Sequence, residues 1–423
     1  MKLIVKKSRL NGTAAMPGSK SHTIRAVAIA SLAEGESIIR NPLISHDTEA
    51  AVACYRALGA KIDTSDSKLW KVTGTGGQLK RAEGTIDVGN SGTTLRIAMG
   101  SSSLQPVKTI FTGDAQIQSR PVGPLMEALS DLGAKCQSLK GNGKAPVEIT
   151  GKITGGKTTI AATTSQYLSS LLLCTPLASG DTEIDVTELN EPGYVQMTLD
   201  WLDKQGIDYE NEGFRKFRIR GSQKYKAFHE TIAADFSSAT FFLCAGALVG
   251  DEVRLTGLDF SDSQPDKAVV EYLKAMGADI DIGGGLAIIK AKPLKGAVLD
   301  MNKTPDALPA MAVTAGFAEG TSKLVNVAQA RSKETDRIKC MAEELKKISI
   351  NVEELPDGLI IRGGRPEGSE LHGWGDHRIV MALSLAGMAV EGKCSIDTAE
   401  AMSVTFPGYV ELMKGIGADM EMK

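Results

Sequence analysis

The sequence predicts an α/β protein built from six repeated units that group into two lobes. One observation is a helix-to-strand junction that recurs at positions 59, 133, 206, 277, 349 and 417, with spacings of 68 to 74 residues. A second is a polar turn followed by an apolar helix, which occurs once in each unit. Units of this length exceed the common solenoid repeats of roughly 20–50 residues. We therefore expect two lobes of three units, with a crossover between the third and fourth units near residues 224–232.

The junction has the same form in five of the six units. In chain order it reads "YRALGAKI", "LSDLGAKC", "LDKQGIDY", "LKAMGADI", "LKKISINV" and "MKGIGADM". Glycine is favoured just after a helix because it has no Cβ and adopts the left-handed conformation at low cost. Each Gly is thus predicted to cap a helix, and Ser349 takes that position in the fifth unit.

The apolar helices are predicted to be buried because they are apolar on nearly every face. With their preceding turns they read "PGSKSHTIRAVAIASLAEG", "VGNSGTTLRIAMG", "TTSQYLSSLLLCTPLASG", "ADFSSATFFLCAGALVG", "TPDALPAMAVTAGFAEG" and "GDHRIVMALSLAGMAVEG". In the fourth helix, Ser237 and Ser238 are predicted to act as ordinary N-caps.

Composition and charge exclude several classes of protein. The chain has 423 residues, 42% hydrophobic and 23% charged, with a formal net charge of −3, which is typical of a soluble protein of two or three domains. No basic excess indicates a nucleic-acid partner. The six cysteines form no CxxC pair or Cys/His cluster, so neither a metal nor a disulfide framework is expected. We see no signal-peptide core and no apolar run long enough to span a bilayer, so a cytoplasmic protein without membrane contact is expected.

Basic residues gather at the turns and helix starts. These are Lys20, Arg25, Arg120, Lys333, Arg337 and Arg378. Helix N-termini favour bound anions, and buried cations need compensation. We therefore expect a multiply charged small substrate to neutralise this set. For Arg378, an ion pair with Asp376 is an equally good explanation.

The stretch "RSKETDR" at residues 331–337 has the densest charge. If it is helical, Lys333 and Arg337 lie on one face and repel each other. The repulsion must then be offset by Glu334, by Asp336 or by a bound anion. Taken alone, such a run is usually a solvated helix face.

Read in order, the turns resemble those of the EPSP synthase (3-phosphoshikimate 1-carboxyvinyltransferase) family of enolpyruvyl transferases. The matching elements are "PGSKSHTIR", "GNSGTTLR", "SRPVGPL", "TSQYL", "TPDALPAMAV", "RSKETDRI", "GDHRIVMAL" and "TFPGYVELM". The resemblance implies an inside-out α/β barrel fold of two lobes, each of three βαβαββ units, with the active site between them. One lobe would hold both termini, residues 1–18 plus 233–423, and the other residues 19–232. The first strand would then pack with residues after about 232.

The activity that the resemblance implies is transfer of the enolpyruvyl group of phosphoenolpyruvate to the 5-hydroxyl of shikimate 3-phosphate, with release of phosphate. This reaction serves aromatic amino acid biosynthesis. By the same resemblance Asp306 accepts the hydroxyl proton, Glu334 protonates the methylene carbon and Lys20 assists. No cofactor or metal is implied, the partners are the two small substrates, and a monomer is expected.

The resemblance also implies which residues bind each substrate. Those for shikimate 3-phosphate are Lys20, Ser21, Arg25, Thr164, Ser165, Gln166, Asp306, Gln329 and Lys333. Those for phosphoenolpyruvate are Lys20, Asn90, Gly92, Arg120, Gln166, Arg337 and Arg378.

The sequence departs from the family pattern at four positions. Val404 stands where many members have a Lys of the phosphoenolpyruvate site, and Gln118 replaces a basic residue. Gln329 replaces a frequent Asn. Glu191 aligns with a phosphate-binding Ser, and a carboxylate there would repel phosphate.

Two other functions remain as alternatives. The related UDP-N-acetylglucosamine 1-carboxyvinyltransferases have a reactive Cys five residues before the Arg of "RP", where this chain has Ala115. They also have an Asn-containing first turn in place of "GSKSH". A non-catalytic repeat protein that binds a partner on a concave face is the other alternative. It would not need Asp306, Glu334 and Lys20 at their family positions.

Overall fold

The computed structural model describes residues 1–423 and has the α/β character that the repeats predict. Its strands are β1 (Leu3–Lys6), β2 (Leu10–Ala15), β3 (Glu36–Arg40), β4 (Lys61–Asp66), β5 (Leu69–Thr73), β6 (Thr85–Asp87), β7 (Thr109–Thr112), β8 (Lys135–Ser138), β9 (Val147–Thr150), β10 (Gly156–Ala162), β11 (Thr182–Leu189), β12 (Tyr209–Glu212), β13 (Lys216–Ile219), β14 (His229–Thr231), β15 (Gly250–Thr256), β16 (Asp279–Gly283), β17 (Leu286–Lys290), β18 (Val298–Asp300), β19 (Thr321–Val325), β20 (Asn351–Leu355), β21 (Gly358–Arg362), β22 (Glu370–Leu371), β23 (Lys393–Ile396) and β24 (Asp419–Met422).

The helices alternate with these strands. They are α1 (Lys20–Leu32), α2 (His46–Ala57), α3 (Gly92–Ser102), α4 (Ala115–Ser119), α5 (Gly123–Asp131), α6 (Ser165–Cys174), α7 (Pro192–Gln205), α8 (Phe236–Val249), α9 (Val269–Ala275), α10 (Leu308–Gly316), α11 (Arg337–Lys347), α12 (His377–Ala389) and α13 (Tyr409–Gly415). Short 3₁₀ segments lie at Thr175–Leu177, Pro265–Ala268, Pro305–Ala307, Ala328–Ser332 and Ala399–Val404.

The strands form six four-stranded sheets of one design. In the sheet β18-β19-β21-β20, the first pair is parallel and the other two pairs are antiparallel. Helix α10 connects the parallel pair, and α11 leads into the antiparallel strands. The other five sheets, β14-β3-β5-β4, β6-β7-β9-β8, β10-β11-β13-β12, β2-β15-β17-β16 and β22-β23-β1-β24, repeat this arrangement. Each repeat is therefore a βαβαββ unit.

Three of the sheets take a strand from a distant part of the chain. Strand β1 pairs with β23 and β24, with Leu3 opposite Ile396, and β2 runs parallel to β15. These pairings confirm that the first strand packs with residues after about 232. Strand β14, in the predicted crossover segment, runs parallel to β3 with His229 opposite Ile38. It supplies the strand that the first sheet would otherwise lack.

The chain divides into two compact units, each containing three sheets. Unit 1 comprises Met1–Pro17 and Ala233–Lys423, and unit 2 comprises Gly18–Ile232. Each unit has its own apolar core, built largely by the three buried helices of its repeats: α8, α10 and α12 in unit 1, and α1, α3 and α6 in unit 2. No helix has the length and apolar character needed to cross a membrane.

The predicted helix caps are present in all six repeats. The backbone φ is positive at Gly59, Gly133, Gly206, Gly277 and Gly417, and Ser349 has φ of 66°. Ser349 thus accepts a conformation that disfavours a side chain. The prediction for Ser237 and Ser238 is wrong, because the N-cap is Asp235, whose carboxylate accepts hydrogen bonds from both backbone amides.

The charged stretch at 331–337 is not a continuous helix. A 3₁₀ segment ends at Ser332, residues 333–335 form a bend, and α11 begins at Arg337 with Asp336 as its N-cap. The four-residue helical spacing of Lys333 and Arg337 therefore does not arise. The bend turns their side chains toward carboxylates of neighbouring segments.

Candidate active site

In unit 1, the carboxylate of Asp306 lies among three cations. Asp306 sits in the 3₁₀ turn that leads into α10. Its Oδ1 lies 2.8 Å from Nη1 of Arg337, and its Oδ2 lies 3.1 Å from Nη2 of Arg378. The Nζ of Lys333 lies 3.9 Å from Oδ1. The Asp306 side chain is 20% exposed, so a small molecule can reach it.

This setting determines the protonation state of Asp306. Burial alone would raise the pKa of its carboxyl group, but Arg378, Lys333 and Arg337 outweigh burial and hold that pKa well below its usual range. The side chain is thus a carboxylate at neutral pH. It can accept a hydrogen bond or, when a reacting hydroxyl loses its proton, accept that proton.

Arg337 is the centre of the unit 1 cluster. Its side chain is fully buried, and besides Asp306 it binds the carboxylates of Glu334 and Asp376. Burial would lower the pKa of the guanidinium, yet these carboxylates raise it above its ordinary value. The arginine therefore stays charged and fixes three acidic side chains at once.

Asp376 holds Arg337 from the opposite side. Its Oδ2 accepts from Arg337 Nε at 2.8 Å and from the Thr335 hydroxyl at 3.0 Å, and its Oδ1 accepts from the backbone amide of Arg378 at 2.9 Å. Burial raises the pKa of Asp376, but Arg337 more than reverses this, and the pKa lies below its usual value. The proposed Arg378–Asp376 side-chain pair is replaced by a pair between Arg378 and Asp306.

The bend before α11 presents two further predicted residues. Lys333 and Glu334 are 17% and 13% exposed at their side chains. Gln329 is more buried, and its Nε2 donates to the Asn302 carbonyl at 2.9 Å. Lys333 and Glu334 are consequently open to a ligand, whereas Arg337 lies behind them.

In unit 2, Lys20 begins α1 and forms an ion pair. Its Nζ lies 2.9 Å from Oδ2 of the buried Asp47 on α2. The backbone carbonyl of Asp47 accepts from the Thr94 hydroxyl on α3 at 3.4 Å. Lys20 is 16% exposed at its side chain. Asp47 thus connects the starts of two buried helices while leaving Lys20 within reach of a ligand.

Arg25 is a second buried arginine, and all of its hydrogen-bond acceptors are neutral. Its guanidinium donates to the Thr198 and Ser169 hydroxyls at 2.9 and 3.4 Å, and to the carbonyls of Ser21 and Tyr194 at 3.0 and 2.9 Å. Burial lowers its pKa to about 10. The side chain ties α1 to α6 and α7.

A third cluster in unit 2 surrounds the start of α3. A Cβ built on Gly92 would lie 2.6 Å from Nη1 of Arg96 and 2.9 Å from Nη1 of Arg120. Arg96 also donates to the Gln166 side-chain oxygen at 2.9 Å, and its guanidinium lies 5.6 Å from the centre of the Tyr167 ring. The absence of a side chain at Gly92 lets two guanidinium groups lie against the helix N-terminus.

The remaining predicted residues lie at turns of unit 2. Thr164 is the N-cap residue of α6. The hydroxyl of Ser165 donates to Glu191 Oε2 at 2.8 Å, and Glu191 is buried with φ of 58°. Asn90 Nδ2 donates to Asp114 and Gln116. In this structure the Ser165 hydroxyl is therefore engaged by the carboxylate that departs from the family pattern.

Several of the cations that we expect a multiply charged substrate to neutralise already have partners within their own unit. Lys20, Arg337 and Arg378 pair with carboxylates of the same unit, and Arg25 is satisfied by neutral groups. Two supporting residues, Asp47 and Arg96, were not predicted from sequence. The role of Asp376 in anchoring Arg337 was not predicted either. Arg96 lies within the recognised "GTTLR" motif, so its charge at a buried helix start was an available signal.

Comparisons with known proteins identify the family of the chain. A family model described as EPSP synthase (3-phosphoshikimate 1-carboxyvinyltransferase) matches residues 4–413. The enzyme of that name from Acetivibrio thermocellus is 52% identical over 420 residues, covering 99% of each chain. The one from Ruminiclostridium cellulolyticum is 50% identical over 422 residues, covering 100% of each.

Solved structures show the same fold. EPSP synthase from Acinetobacter baumannii superposes with a TM-score of 0.83 at 29% identity, covering 100% of each chain. The enolpyruvyl transferase NikO from Streptomyces tendae, with a TM-score of 0.80 over 99% of this chain and 98% of its own, is 20% identical and supports the fold alone. The predicted fold class is confirmed, and the UDP-N-acetylglucosamine alternative is not favoured. By its sequence over nearly its whole length, this chain belongs to the EPSP synthase family.

Proposed function

We propose that this chain transfers the enolpyruvyl group of phosphoenolpyruvate to the 5-hydroxyl of shikimate 3-phosphate, the reaction named by its family. The observation that carries the residue assignments is the ionised, partly exposed Asp306 among Lys333, Arg337 and Arg378. It combines a proton acceptor with cations suited to an anionic substrate. A non-catalytic repeat protein has no need of such an arrangement.

The proposed chemistry has two steps. In the addition step, the 5-hydroxyl oxygen bonds to C2 of phosphoenolpyruvate and Asp306 takes the hydroxyl proton. In the same step Glu334, assisted by Lys20, delivers a proton to C3. In the elimination step, a C3 proton returns to Glu334, the bond from C2 to the phosphate oxygen breaks, the carbon–carbon double bond forms again, and the proton held by Asp306 leaves with the phosphate. Cations that stabilise the developing charge supply much of the rate enhancement in sites of this type.

Phosphoenolpyruvate is assigned to Lys20, Asn90, Gly92, Arg120, Gln166, Arg337 and Arg378. Its carboxylate and its phosphate are anions that a guanidinium can bind, as Arg378 binds the carboxylate of Asp306. The substrate can therefore take over part of that pairing without leaving a buried cation uncompensated. Arg337 is fully buried and holds the carboxylates of Glu334 and Asp306 in place. It can bind the substrate when an anionic group of the substrate displaces one of these carboxylates.

Shikimate 3-phosphate is assigned to Lys20, Ser21, Arg25, Thr164, Ser165, Gln166, Asp306, Gln329 and Lys333. In the absence of ligand Ser165 donates its hydroxyl to Glu191. We propose that this hydroxyl turns from Glu191 to the substrate on binding. We further propose a cytoplasmic monomer that needs no cofactor. Each unit has its own apolar core, and a sedimentation measurement tests the monomer.

Release of inorganic phosphate tests the reaction. Phosphoenolpyruvate plus shikimate 3-phosphate should give phosphate and enolpyruvylshikimate phosphate in equal amounts. Phosphoenolpyruvate plus UDP-N-acetylglucosamine should give neither phosphate nor a new product. Turnover of the nucleotide sugar, or no turnover of either pair, would refute the proposal.

The assignment of Arg378 is tested by its replacement. Arg378→Ala should weaken phosphoenolpyruvate binding by about 10- to 150-fold, the equivalent of a charge-assisted hydrogen bond of about 1.5–3 kcal/mol. Shikimate 3-phosphate binding should change far less. Calorimetry with each ligand makes the comparison, and equal losses for both substrates would remove Arg378 from the phosphoenolpyruvate site.

A further inference from the structure

A buried carboxylate on α11 lies outside the substrate-binding set. Glu344 is fully buried and accepts from the backbone amide of His372 at 2.9 Å, from Trp374 Nε1 at 3.0 Å and from Lys347 Nζ at 2.8 Å. Burying a carboxylate is costly unless its oxygens are bonded. Here two of its partners belong to the short loop that leads to Asp376.

That loop has an unfavourable backbone conformation. Trp374 has φ of 58°, which is rare for a bulky side chain, and Gly375 follows with φ of 63°. The indole also packs against the His372 ring, with centroids 4.7 Å apart. Such a conformation persists only where surrounding contacts impose it. The Glu344–Trp374 hydrogen bond is one of those contacts.

A second carboxylate holds the other side of the loop. Asp397 accepts from the Gly373 amide at 2.8 Å and lies 2.7 Å from Nδ1 of His372. The Asp376 amide then donates to the Gly373 carbonyl at 3.0 Å. The loop is thus fixed immediately before the residue that anchors Arg337.

Helix α11 contacts this segment at two points. Arg337 and Glu344 are seven residues apart, so they lie two turns apart on the same face of the helix. Arg337 binds the Asp376 side chain, and Glu344 binds the loop from 372 to 374. The two contacts together set the register between α11 and the start of α12.

We infer that Glu344, acting through Trp374, is a positioning residue for phosphoenolpyruvate: it fixes the 372–376 loop so that Asp376 meets Arg337 and Arg378 meets Asp306. This rests on the proposed function, because Arg378 and Arg337 are assigned to that substrate there. Glu344 does not touch the substrate. Its loss changes the placement of the residues that do.

The test is a comparison of the two Michaelis constants. Glu344→Ala should raise KM for phosphoenolpyruvate at least about tenfold, since a displacement of about 1 Å near a reacting group can cost about 100-fold. KM for shikimate 3-phosphate should change much less, because the segment that Glu344 holds leads into α12 and Arg378, which is assigned to phosphoenolpyruvate, and contains none of the residues assigned to shikimate 3-phosphate. Glu343→Ala is the control: this neighbouring residue is exposed on the same helix and its loss should change neither constant.

Trp374→Phe is a milder change that tests the same inference even if Glu344→Ala does not fold. It removes the indole N–H and keeps an aromatic ring, so it should raise KM for phosphoenolpyruvate several-fold in a folded enzyme. If Glu344→Ala does not fold, this variant decides the matter. Unchanged constants, or equal rises for both substrates, overturn the inference. If Arg378→Ala weakens phosphoenolpyruvate binding while these variants do not, the positioning role fails and the proposed function stands. If Arg378→Ala has no such effect, Arg378 leaves the phosphoenolpyruvate site and the inference fails with it, whereas the proposed function fails only if the two substrates together release no phosphate.

Discussion

Arg25 and Arg337 are both buried arginines on helices, but their surroundings differ completely. Arg25, in unit 2, donates to two hydroxyls and two carbonyls, and burial lowers its pKa to about 10. Arg337, in unit 1, meets three carboxylates, and its pKa is raised. The same residue type thus cross-links helices through neutral acceptors in one unit and forms the centre of a charge cluster in the other.

The difference shows which part of the molecule is suited to proton transfer. The unit 1 cluster contains acidic groups whose ionisation is set by neighbouring cations, and two of them, Asp306 and Glu334, are partly exposed. The groups that bind Arg25 are hydroxyls and backbone carbonyls, with no carboxylate among them. We therefore expect chemistry to depend on unit 1, with the region around Arg25 supplying rigidity and binding.

The largest expected effect is a loss of turnover when a carboxylate beside Arg337 is replaced by a neutral group, like the groups that surround Arg25. Glu334→Gln replaces one carboxylate by a neutral amide whose oxygen can still accept from Arg337. Turnover should fall about 10²–10⁴-fold, the usual contribution of a general acid or base, while both substrates still bind. Steady-state kinetics with calorimetry measure this, and Glu343→Gln is the exposed control. Near-normal turnover would leave Glu334 a binding role only.

Removing each arginine compares the two regions directly. Arg337→Met should cost about 3–5 kcal/mol of unfolding free energy, because it leaves buried carboxylates uncompensated. Arg25→Met should cost about 1–3 kcal/mol, since it leaves neutral acceptors unsatisfied. Urea unfolding followed by circular dichroism gives both values. Equal losses would mean that the charges around Arg337 contribute little.

The pH dependence of these losses should also differ. In the wild type the pKa values of Asp306 and Asp376 are depressed. Their contribution is present above the unfolded pKa near 4 and is lost as pH falls through the folded values. Without Arg337, the pKa values of these buried carboxyl groups rise, so lowering the pH protonates them and stabilises the folded variant at a pH where the wild type is unaffected. The deficit of Arg337→Met should therefore shrink between pH 7 and pH 5, whereas that of Arg25→Met should stay constant.

The smallest effect concerns the helix caps, where five repeats have Gly and one has Ser349 in the left-handed region. Ser349→Gly should raise the unfolding free energy by about 1 kcal/mol, because it removes the strain of a side chain at positive φ. The reverse change, Gly206→Ser, should lower it by a similar amount. Thermal unfolding of both variants measures the pair, and a destabilised Ser349→Gly would show that the serine side chain has a use.

The repeats could be predicted from sequence because their signals are local. A glycine after an apolar helix end marks a cap within a few residues, and the period identified Ser349 as its equivalent. The six helix starts followed from apolar runs of similar length. The exception is Asp235, which caps the helix in place of Ser237 and Ser238, because the helix begins at Phe236 and the two serines lie within its first turn, where their own amides are the groups to be capped.

The pairings within the site could not be predicted, since they join distant parts of the chain. Asp376 is 39 residues from Arg337, and Asp47 is 27 residues from Lys20. The local charge pattern did offer Glu334, which pairs with Arg337, but it indicated neither Asp376 for Arg337 nor Asp47 for Lys20. The bend at 333–335 also depends on where Arg337 is held, and a helical pattern in isolation does not reveal that.

The exchanged strands have a consequence for synthesis on the ribosome. Unit 2 holds all of its strands once residue 232 has been made, because β14 closes its first sheet. Strands β1 and β2, although translated first, pair with residues 250–256 and 393–422. At about 5–20 residues per second they wait roughly 20–80 s for the last of these partners. Unit 2 is thus complete, and able to fold, before unit 1. Protease digestion of stalled nascent chains that end beyond residue 232 should show unit 2 protected while β1 and β2 are still cut.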